Sequence, residues 1–355
     1  MKKLFFLISA VFCAVTGIFF SEKLPADTDV LTEEKYDTWA GVIRIWVSED
    51  SGAAGWLNAC AAETERAYPG VYINVQEVSD EALREYSVSG VNPPDIMIYH
   101  RGLIEDTSLL SPITCTYPLR DGILQEPYAV PVLLRPRFWI YNASVYDTLP
   151  GDMYNVNAAC SREDAAALVA LSTGLRPAEG TGNILPGVDL GLGAGENITE
   201  APAGDTACRV SPHIITEESP LALFRRGEAD AFIGGIGDAL RLADCKAVAT
   251  GEYAYASEVI MCSIVDKDDG RGEICRAYLD TLMGAGQALA ARAQAFPAVY
   301  GASAWTGDHL LGPVEAALTG KIWLSGAYDT APAYLYIEGK ISADEAVRQI
   351  INSSR

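Results

Sequence analysis

The fold is decided by residues 41–78, which read GVIRIWVSEDSGAAGWLNACAAETERAYPGVYINVQEV. The opening β-branched run ends in polar residues, which predicts a buried strand that leads into a loop. Residues 52–69 carry apolar side chains at helical spacing and stop at Pro69-Gly70, which predicts a helix. Residues 71–78 alternate apolar and polar side chains, which predicts a second strand.

A further helix and strand follow directly. Residues 81–88 predict a short helix, the turn at 92–94 is Asn-Pro-Pro, and residues 95–99 predict a third strand. Strand, helix, strand, helix and strand in so short a span predict βαβ units and therefore a parallel sheet. Ligands of open parallel sheets bind beyond the carboxyl ends of the strands, here Ser48-Glu49-Asp50 and Tyr99-His100-Arg101.

The rest of the chain predicts a second set of α/β elements. An extended segment over residues 127–142, interrupted by Pro131 and Pro136, is typical of a chain that crosses between two lobes. The last helix begins with Ser342 as its cap and Glu345 three residues later. The other predicted elements are an Ala-rich helix over 164–171, a helix, strand and helix over 221–242, a strand over 259–265 and a long Ala/Leu helix over 272–296.

Composition sets limits on function. The chain has 355 residues, 49% apolar and 21% charged, which suits one large or two ordinary globular domains. Its 47 acidic against 26 basic side chains give a net charge of −21. A chain this acidic has no basic surface to attract phosphate backbones or anionic lipid, so we expect no nucleic-acid partner.

The N-terminus predicts export. Met1-Lys2-Lys3 precedes 17 uncharged residues, 4–20, which predict a hydrophobic helix, and the two lysines keep its start in the cytoplasm. Three interpretations remain open for this segment: an uncleaved anchor, a cleaved signal peptide and a lipoprotein attached through Cys13. Each places the following domain outside the cytoplasm, after a polar spacer over residues 22–40.

Motifs of catalysis and of metal binding are missing from the sequence. The eight cysteines are scattered without a CxxC, which disfavours a zinc cluster or a redox dithiol and favours buried apolar roles, while their pairing stays open. The three histidines form no HExxH, there is no GxSxG, and residues 234–238 (GGIGD) lack the lysine of a P-loop. We therefore expect no enzyme and no cofactor.

Five segments in a fixed order carry a resemblance to a known family. They are residues 41–78; Ser89-Gly90 with Pro94-Asp95-Ile96-Met97; Tyr128-Ala129-Val130-Pro131 with Trp139-Ile140-Tyr141-Asn142; residues 224–232 (FRRGEADAF); and residues 341–347 (ISADEAV). In this order they resemble the extracellular solute-binding proteins of bacterial ABC importers, of the carbohydrate-type family that includes maltose-binding protein. The chain is short for that family, around residues 173–205 in particular.

The resemblance implies fold, domain limits and role together. It implies a two-lobed, type II periplasmic-binding-protein-like α/β fold, each lobe a mostly parallel sheet flanked by helices, preceded by the N-terminal hydrophobic helix. Residues 1–21 would be signal or anchor and 22–40 linker, with lobe 1 at 41–134 and 256–303 and lobe 2 at 135–255 and 304–355. The resemblance implies a monomeric bacterial receptor that is anchored on the outer face of the cytoplasmic membrane or secreted. This receptor would close on a small polar ligand, with an oligosaccharide as the first candidate by the resemblance, and deliver it to an ABC permease. The alternative is an anchored sensor or scaffold of this fold without a transport role.

Sugar recognition needs flat aromatic faces and planar polar groups, which selects the candidate ligand-binding residues. Most have a second interpretation: the aromatic residues as core, Arg137 as a partner of the chain's own carboxylates, and Glu49 as solvated loop. Trp305 is selected because the resemblance places a stacking aromatic there. The candidates are Glu49, Trp56, Tyr99, His100, Arg137, Trp139, Tyr141, Gly235, Asp238 and Trp305.

Overall fold

The structure is a computed structural model. It describes residues 40–89, 93–120, 123, 126–149, 156–165, 167, 176–177, 184–185, 218–249, 254–265, 270–318, 322–324, 331–342, 345–346 and 348–349. The predicted N-terminal helix with Cys13, the spacer before residue 40 and most of the stretch 173–205 lie outside these residues. Within them, no helix has the length and apolar character needed to cross a membrane.

The elements predicted over residues 41–99, the helix, strand and helix over 221–242 and the strand over 259–265 appear in the predicted order. The helices predicted over 164–171 and from Ser342 lie partly outside the described residues. The strands are β1 (Gly41–Ser48), β2 (Val71–Val78), β3 (Ile96–His100), β4 (Val130–Asn142), β5 (Ala158–Ala159), β6 (Arg176–Pro177), β7 (Ile184–Leu185), β8 (Ala231–Gly234), β9 (Cys245–Ala249), β10 (Ala254–Ile264), β11 (Phe296–Pro297) and β12 (Ile322–Leu324). The helices are α1 (Ala54–Ala67), α2 (Asp80–Ser89), α3 (Pro220–Arg225), α4 (Ile236–Ala239), α5 (Arg271–Met283), α6 (Leu311–Ala317) and α7 (Ala331–Ile337). Two 3-10 helices cover Glu49–Ser51 and Ala285–Ala293.

The predicted βαβ units are confirmed. β1 pairs in parallel with β2 on one side and with β3 on the other, which places the carboxyl ends of these strands at one edge. β10 then lies antiparallel between β3 and β4, so the sheet is mixed beyond its first three strands.

A single strand, β4, belongs to two groups of strands. Its first half pairs with β10 and β11, whereas its second half, from Phe138, pairs with β8 and β9. Among the described residues, ten strands are thereby joined in one sheet, ordered β2-β1-β3-β10-β4-β8-β5 with β9, β11 and β12 at its sides. The extended segment predicted to cross between lobes is this strand.

The predicted long helix over 272–296 is wrong in extent. α5 ends at Met283, and after Gly284 the chain winds more tightly as a 3-10 helix. A β-carbon at Gly286 would lie 3.0 Å from Cys60 Sγ, and the Gly286 carbonyl accepts a 2.8 Å hydrogen bond from Trp56 Nε1. The backbone of this segment packs directly on α1, and its nine residues are an unusually long run for a 3-10 helix.

The cysteines behave as apolar packing residues. The six cysteines among the described residues are in the thiol form, and five of them are buried. Burial raises the pKa of the Cys60 and Cys160 thiols to about 12, so both stay protonated and unreactive near neutral pH. This confirms the packing interpretation for the described cysteines.

Candidate functional site

The middle of β4 presents two arginines where the strand changes partners. Arg135 and Arg137 lie two residues apart and therefore point to the same face of the strand. Their side chains are 23% and 24% exposed. We call these two arginines and the residues that contact them the crossing site.

Arg135 binds the first group of strands. Its guanidinium pairs with Glu258 of β10 at 2.9 Å and donates to the backbone carbonyls of Ser51 and, at 3.3 Å, Ala293. His100, at the end of β3, places Nδ1 3.8 Å from the same Glu258 carboxylate, and among the described residues this nitrogen has no hydrogen-bond partner. The ends of β1 and β3, where the sequence predicts ligand contacts, thus meet around Glu258.

Arg137 binds the second group. It donates two hydrogen bonds to Asp164, of 3.0 and 2.7 Å, and lies 3.8 Å from Asp238. The Asp164 side chain is only 4% exposed and also accepts a 2.7 Å bond from Ser161 Oγ. The Asp238 carboxylate in turn accepts a 3.0 Å bond from the Gly235 amide at the start of α4. Both arginines are therefore neutralised by the chain's own carboxylates.

Gln294, which follows Ala293 of the crossing site, is a neighbouring residue that sequence reasoning missed. It closes the 3-10 helix in the left-handed conformation, at φ 48°, which is uncommon for a residue with a side chain. Its amide oxygen lies so close to α4 that a β-carbon on Gly237 would be 2.7 Å away. Gln294 thus connects the segment that Arg135 contacts with the helix that follows β8.

Trp305 lies beside this arrangement and is half-buried. Its indole N–H donates a 3.1 Å bond to the carbonyl of Ala295, the neighbour of Gln294. Its backbone N–H donates a 2.9 Å bond to the carboxylate of Glu315, a buried residue of α6. One edge of the ring is therefore fixed, and the partly buried side chain packs against the core cluster.

Four predicted aromatic contacts are buried instead. Trp56 is 1% exposed, and its indole N–H bonds to the Gly286 carbonyl. Trp139 and Tyr141 are 4% and 6% exposed and belong to a core cluster with residues of β8. Tyr99 is also buried, its hydroxyl lies 2.6 Å from Ser263 Oγ, and burial raises its pKa to about 12. These four rings have no open face in the structure, and a ligand contact at any of them stays a prediction.

The remaining six candidates lie at or next to the crossing site. Glu49 is exposed and precedes Asp50, whose carbonyl lies 3.4 Å from Arg135. The six are Glu49, His100, Arg137, Gly235, Asp238 and Trp305. Sequence reasoning missed Glu258, Asp164, Gln294 and Glu315, because no motif marks any of them. In the described part of the chain, no three His, Cys, Asp or Glu side chains are grouped so as to hold a metal ion.

The charge balance of the crossing site is negative. Three carboxylates, those of Asp164, Asp238 and Glu258, lie within 4 Å of the two guanidinium groups. These three carboxylates outnumber the two guanidinium groups by one.

Two groups of strands that share a crossing strand define the two-lobed periplasmic-binding-protein-like fold. The structure is similar to the cyclic α-maltosyl-1,6-maltose binding protein of Arthrobacter globiformis, with a TM-score of 0.65, 13% identity, and coverage of 89% of this chain and 99% of that one. It is also similar to the GacH receptor of Streptomyces glaucescens, known with acarbose bound, with a TM-score of 0.59, 15% identity, and coverage of 89% and 98%. No protein-family model and no curated protein sequence matches the chain. At these identities the similarity establishes the fold.

Proposed function

We propose that the chain is an extracytoplasmic solute-binding receptor of a bacterial ABC importer, with an oligosaccharide as its ligand. The observation that carries the proposal is β4, which joins two groups of strands and presents Arg135 to one and Arg137 to the other. The similar structures from Arthrobacter and Streptomyces, which bind a cyclic maltosyl-maltose and acarbose, support a sugar as ligand. Neither similar structure is an enzyme by name, and we propose binding rather than catalysis.

Hinge closure is the proposed mechanism. We assign residues 41–134 and 256–303 to one lobe and 135–255 and 304–355 to the other, so that β4 and β10 form the hinge. A ligand that touches both lobes stabilises the closed form over the open one. The closed form is then the one that a membrane permease recognises.

The proposed ligand is uncharged. The ring of Trp305 offers an apolar face for the C–H surface of a sugar, and His100, Glu49 and Asp238 offer polar groups for its hydroxyls. Carboxylates of the chain already compensate the positive charges of Arg135 and Arg137. These arginines therefore offer little net attraction to an anionic sugar. Sugar acids and sugar phosphates are therefore expected to bind poorly.

The experiment is a thermal-shift screen of the exported part of the chain. The panel contains maltose, maltotriose, acarbose, glucuronate and glucose 6-phosphate, with amino acids and a dipeptide as other classes. A ligand at 100 times its Kd stabilises the native state by about 2.7 kcal/mol, which raises the Tm by a few degrees. We expect a shift with a neutral oligosaccharide. A folded protein that responds to no member of the panel would instead favour the sensor or scaffold.

A further inference from the structure

We propose that Glu315 is a positioning residue of the ligand site, which holds the loop of residues 302–306 so that the Trp305 ring is presented at the crossing site. The effect on ligand binding that this inference predicts rests on the proposed function. The geometry that carries it is independent of any ligand.

The carboxylate of Glu315 binds three consecutive residues of the loop. It accepts hydrogen bonds from the Ser303 hydroxyl, from the Ala304 amide at 3.0 Å and from the Trp305 amide at 2.9 Å. The side chain is almost completely buried, at 3% exposure. A buried carboxylate that accepts from successive backbone N–H groups fixes the direction of that backbone, and hence of the side chain that leaves it.

Arg120 compensates the buried charge of Glu315 and anchors the same segment. Its guanidinium is 2% exposed, lies 3.8 Å from the carboxylate and donates to the carbonyls of Pro297 at 2.9 Å and Ala302 at 2.8 Å. A third bond of 3.3 Å reaches Leu318 at the end of α6. The loop is therefore held from the side of β11 by Arg120 and from the side of α6 by Glu315.

The position of this loop decides where the Trp305 ring lies relative to the crossing site. The indole bonds to Ala295, which follows Gln294, and Arg135 bonds to Ala293. A displacement of the Trp305 backbone would either break the indole bond or move these neighbours.

The same loop also touches α6 through Gly312, which provides an independent way to displace it. A β-carbon at Gly312 would lie 2.9 Å from the Trp305 carbonyl oxygen, a contact with backbone that a side-chain rotation cannot relieve. At Gly307, in the same loop region, a β-carbon would meet nothing within 4 Å. Gly312→Ala is therefore expected to move the loop. Gly307→Ala makes the same chemical change without a clash and serves as its control.

The test labels the full chain with 5-fluorotryptophan and identifies the Trp305 signal in the 19F spectrum by its loss in Trp305→Phe. Glu315→Gln replaces one acceptor oxygen by a donor, so one loop amide loses its bond. We expect Glu315→Gln and Gly312→Ala to shift or split the Trp305 signal, while Gly307→Ala leaves it unchanged. If Glu315→Gln does not fold, Ser303→Ala, which removes the hydroxyl that donates to Glu315, takes its place and is expected to shift the same signal. An unchanged Trp305 signal in the folded variants, or an equal change in Gly307→Ala, overturns the inference.

Binding is measured on the same proteins by calorimetry with maltotriose and acarbose. We expect both loop-displacing variants to lose at least tenfold in affinity for a sugar that the unmodified protein binds, and Gly307→Ala to bind within twofold of it. Unchanged affinity together with a shifted Trp305 signal overturns the role in ligand binding. If the unmodified protein binds neither sugar, the proposed function fails, whereas the fluorine signal still decides whether Glu315 positions the ring.

Discussion

Arg135 and Arg137 lie two residues apart on one face of β4, yet they bind opposite groups of strands. Arg135 pairs with Glu258 of β10 and Arg137 pairs with Asp164 beside β8. β4 is thus shared by two groups of strands and is tied to each group by a charged pair. This is the relationship on which our account of the molecule as a two-lobed receptor depends.

Arg137→Ala is expected to destabilise the protein strongly. The change leaves the carboxylate of Asp164 buried without its bidentate partner, a loss of about 2–4 kcal/mol in the free energy of unfolding. Urea unfolding measures it. The control is Arg226→Ala, because Arg226 pairs with Glu218 and Glu228 on the exposed surface, where ion pairs contribute less than about 1 kcal/mol. Equal losses for the two variants would contradict the anchor at Arg137.

Gly237→Ala is expected to weaken ligand binding with little loss of stability. The new methyl group would displace the Gln294 amide, which can rotate away. The substitution therefore changes the shape of the crossing site but leaves the free energy of unfolding almost unchanged. The control is Gly55→Ala in α1, where a β-carbon meets nothing within 4 Å. Calorimetry with the best sugar of the screen measures the affinity. A Gly237→Ala protein with unchanged affinity would show that Gln294 has no part in ligand binding.

Substitutions of Trp305 and of Trp56 are expected to affect different properties, the first sugar binding and the second the stability of the fold. Trp305→Ala should abolish measurable sugar binding, because it removes the aromatic face proposed for the sugar. Trp56→Phe should keep the affinity and lower the free energy of unfolding by about 1 kcal/mol or more, since the buried Gly286 carbonyl loses its donor. The two variants are compared by calorimetry and by urea unfolding. Loss of binding in Trp56→Phe at full stability would support Trp56 as a ligand contact.

Tyr99 is expected to contribute to the loss of stability in alkali. Burial raises its pKa to about 12, against 10.0 in the unfolded chain. Because the native state holds the proton more tightly, this contribution is complete below pH 10 and is lost as the pH rises from 10 to 12. Tyr99→Phe, which has no such proton, should show a shallower decline of the Tm over that interval. If the Tm of the two proteins declines equally between pH 10 and 12, Tyr99 does not contribute to the loss of stability in alkali.

The parts of the fold that the sequence predicted are those set by local pattern. β1, α1 and β2 follow from residues 41–78, because strand alternation, helical spacing and a Pro-Gly stop act over a few neighbours. The end of α5 could not be predicted, because it depends on contact between Gly286 and Trp56, far apart in the chain. Alternation along β4 placed Trp139 and Tyr141 on one face, but both faces of that strand are covered, so the pattern could not say which face meets a ligand.

The residues of the site that sequence reasoning missed act through tertiary pairs. Glu315 and Asp164 lie in ordinary helical stretches, and each acquires its role only when the fold brings an arginine, Arg120 or Arg137, beside it. Gln294 is recognisable from its left-handed backbone and its closeness to Gly237, which no residue pattern records. Arg137 has two interpretations from the sequence, as a ligand contact or as a partner of the chain's own carboxylates, and in the structure it pairs with Asp164 and Asp238.

Small-angle X-ray scattering with and without the best neutral oligosaccharide of the screen tests the central claim most directly. A two-lobed receptor that closes on its ligand becomes more compact, so we predict a smaller radius of gyration in the saturated complex. The same sugar should leave the scattering of Trp305→Ala unchanged at equal concentration. A sugar that binds by calorimetry while the radius of gyration stays the same would contradict hinge closure about β4 and β10.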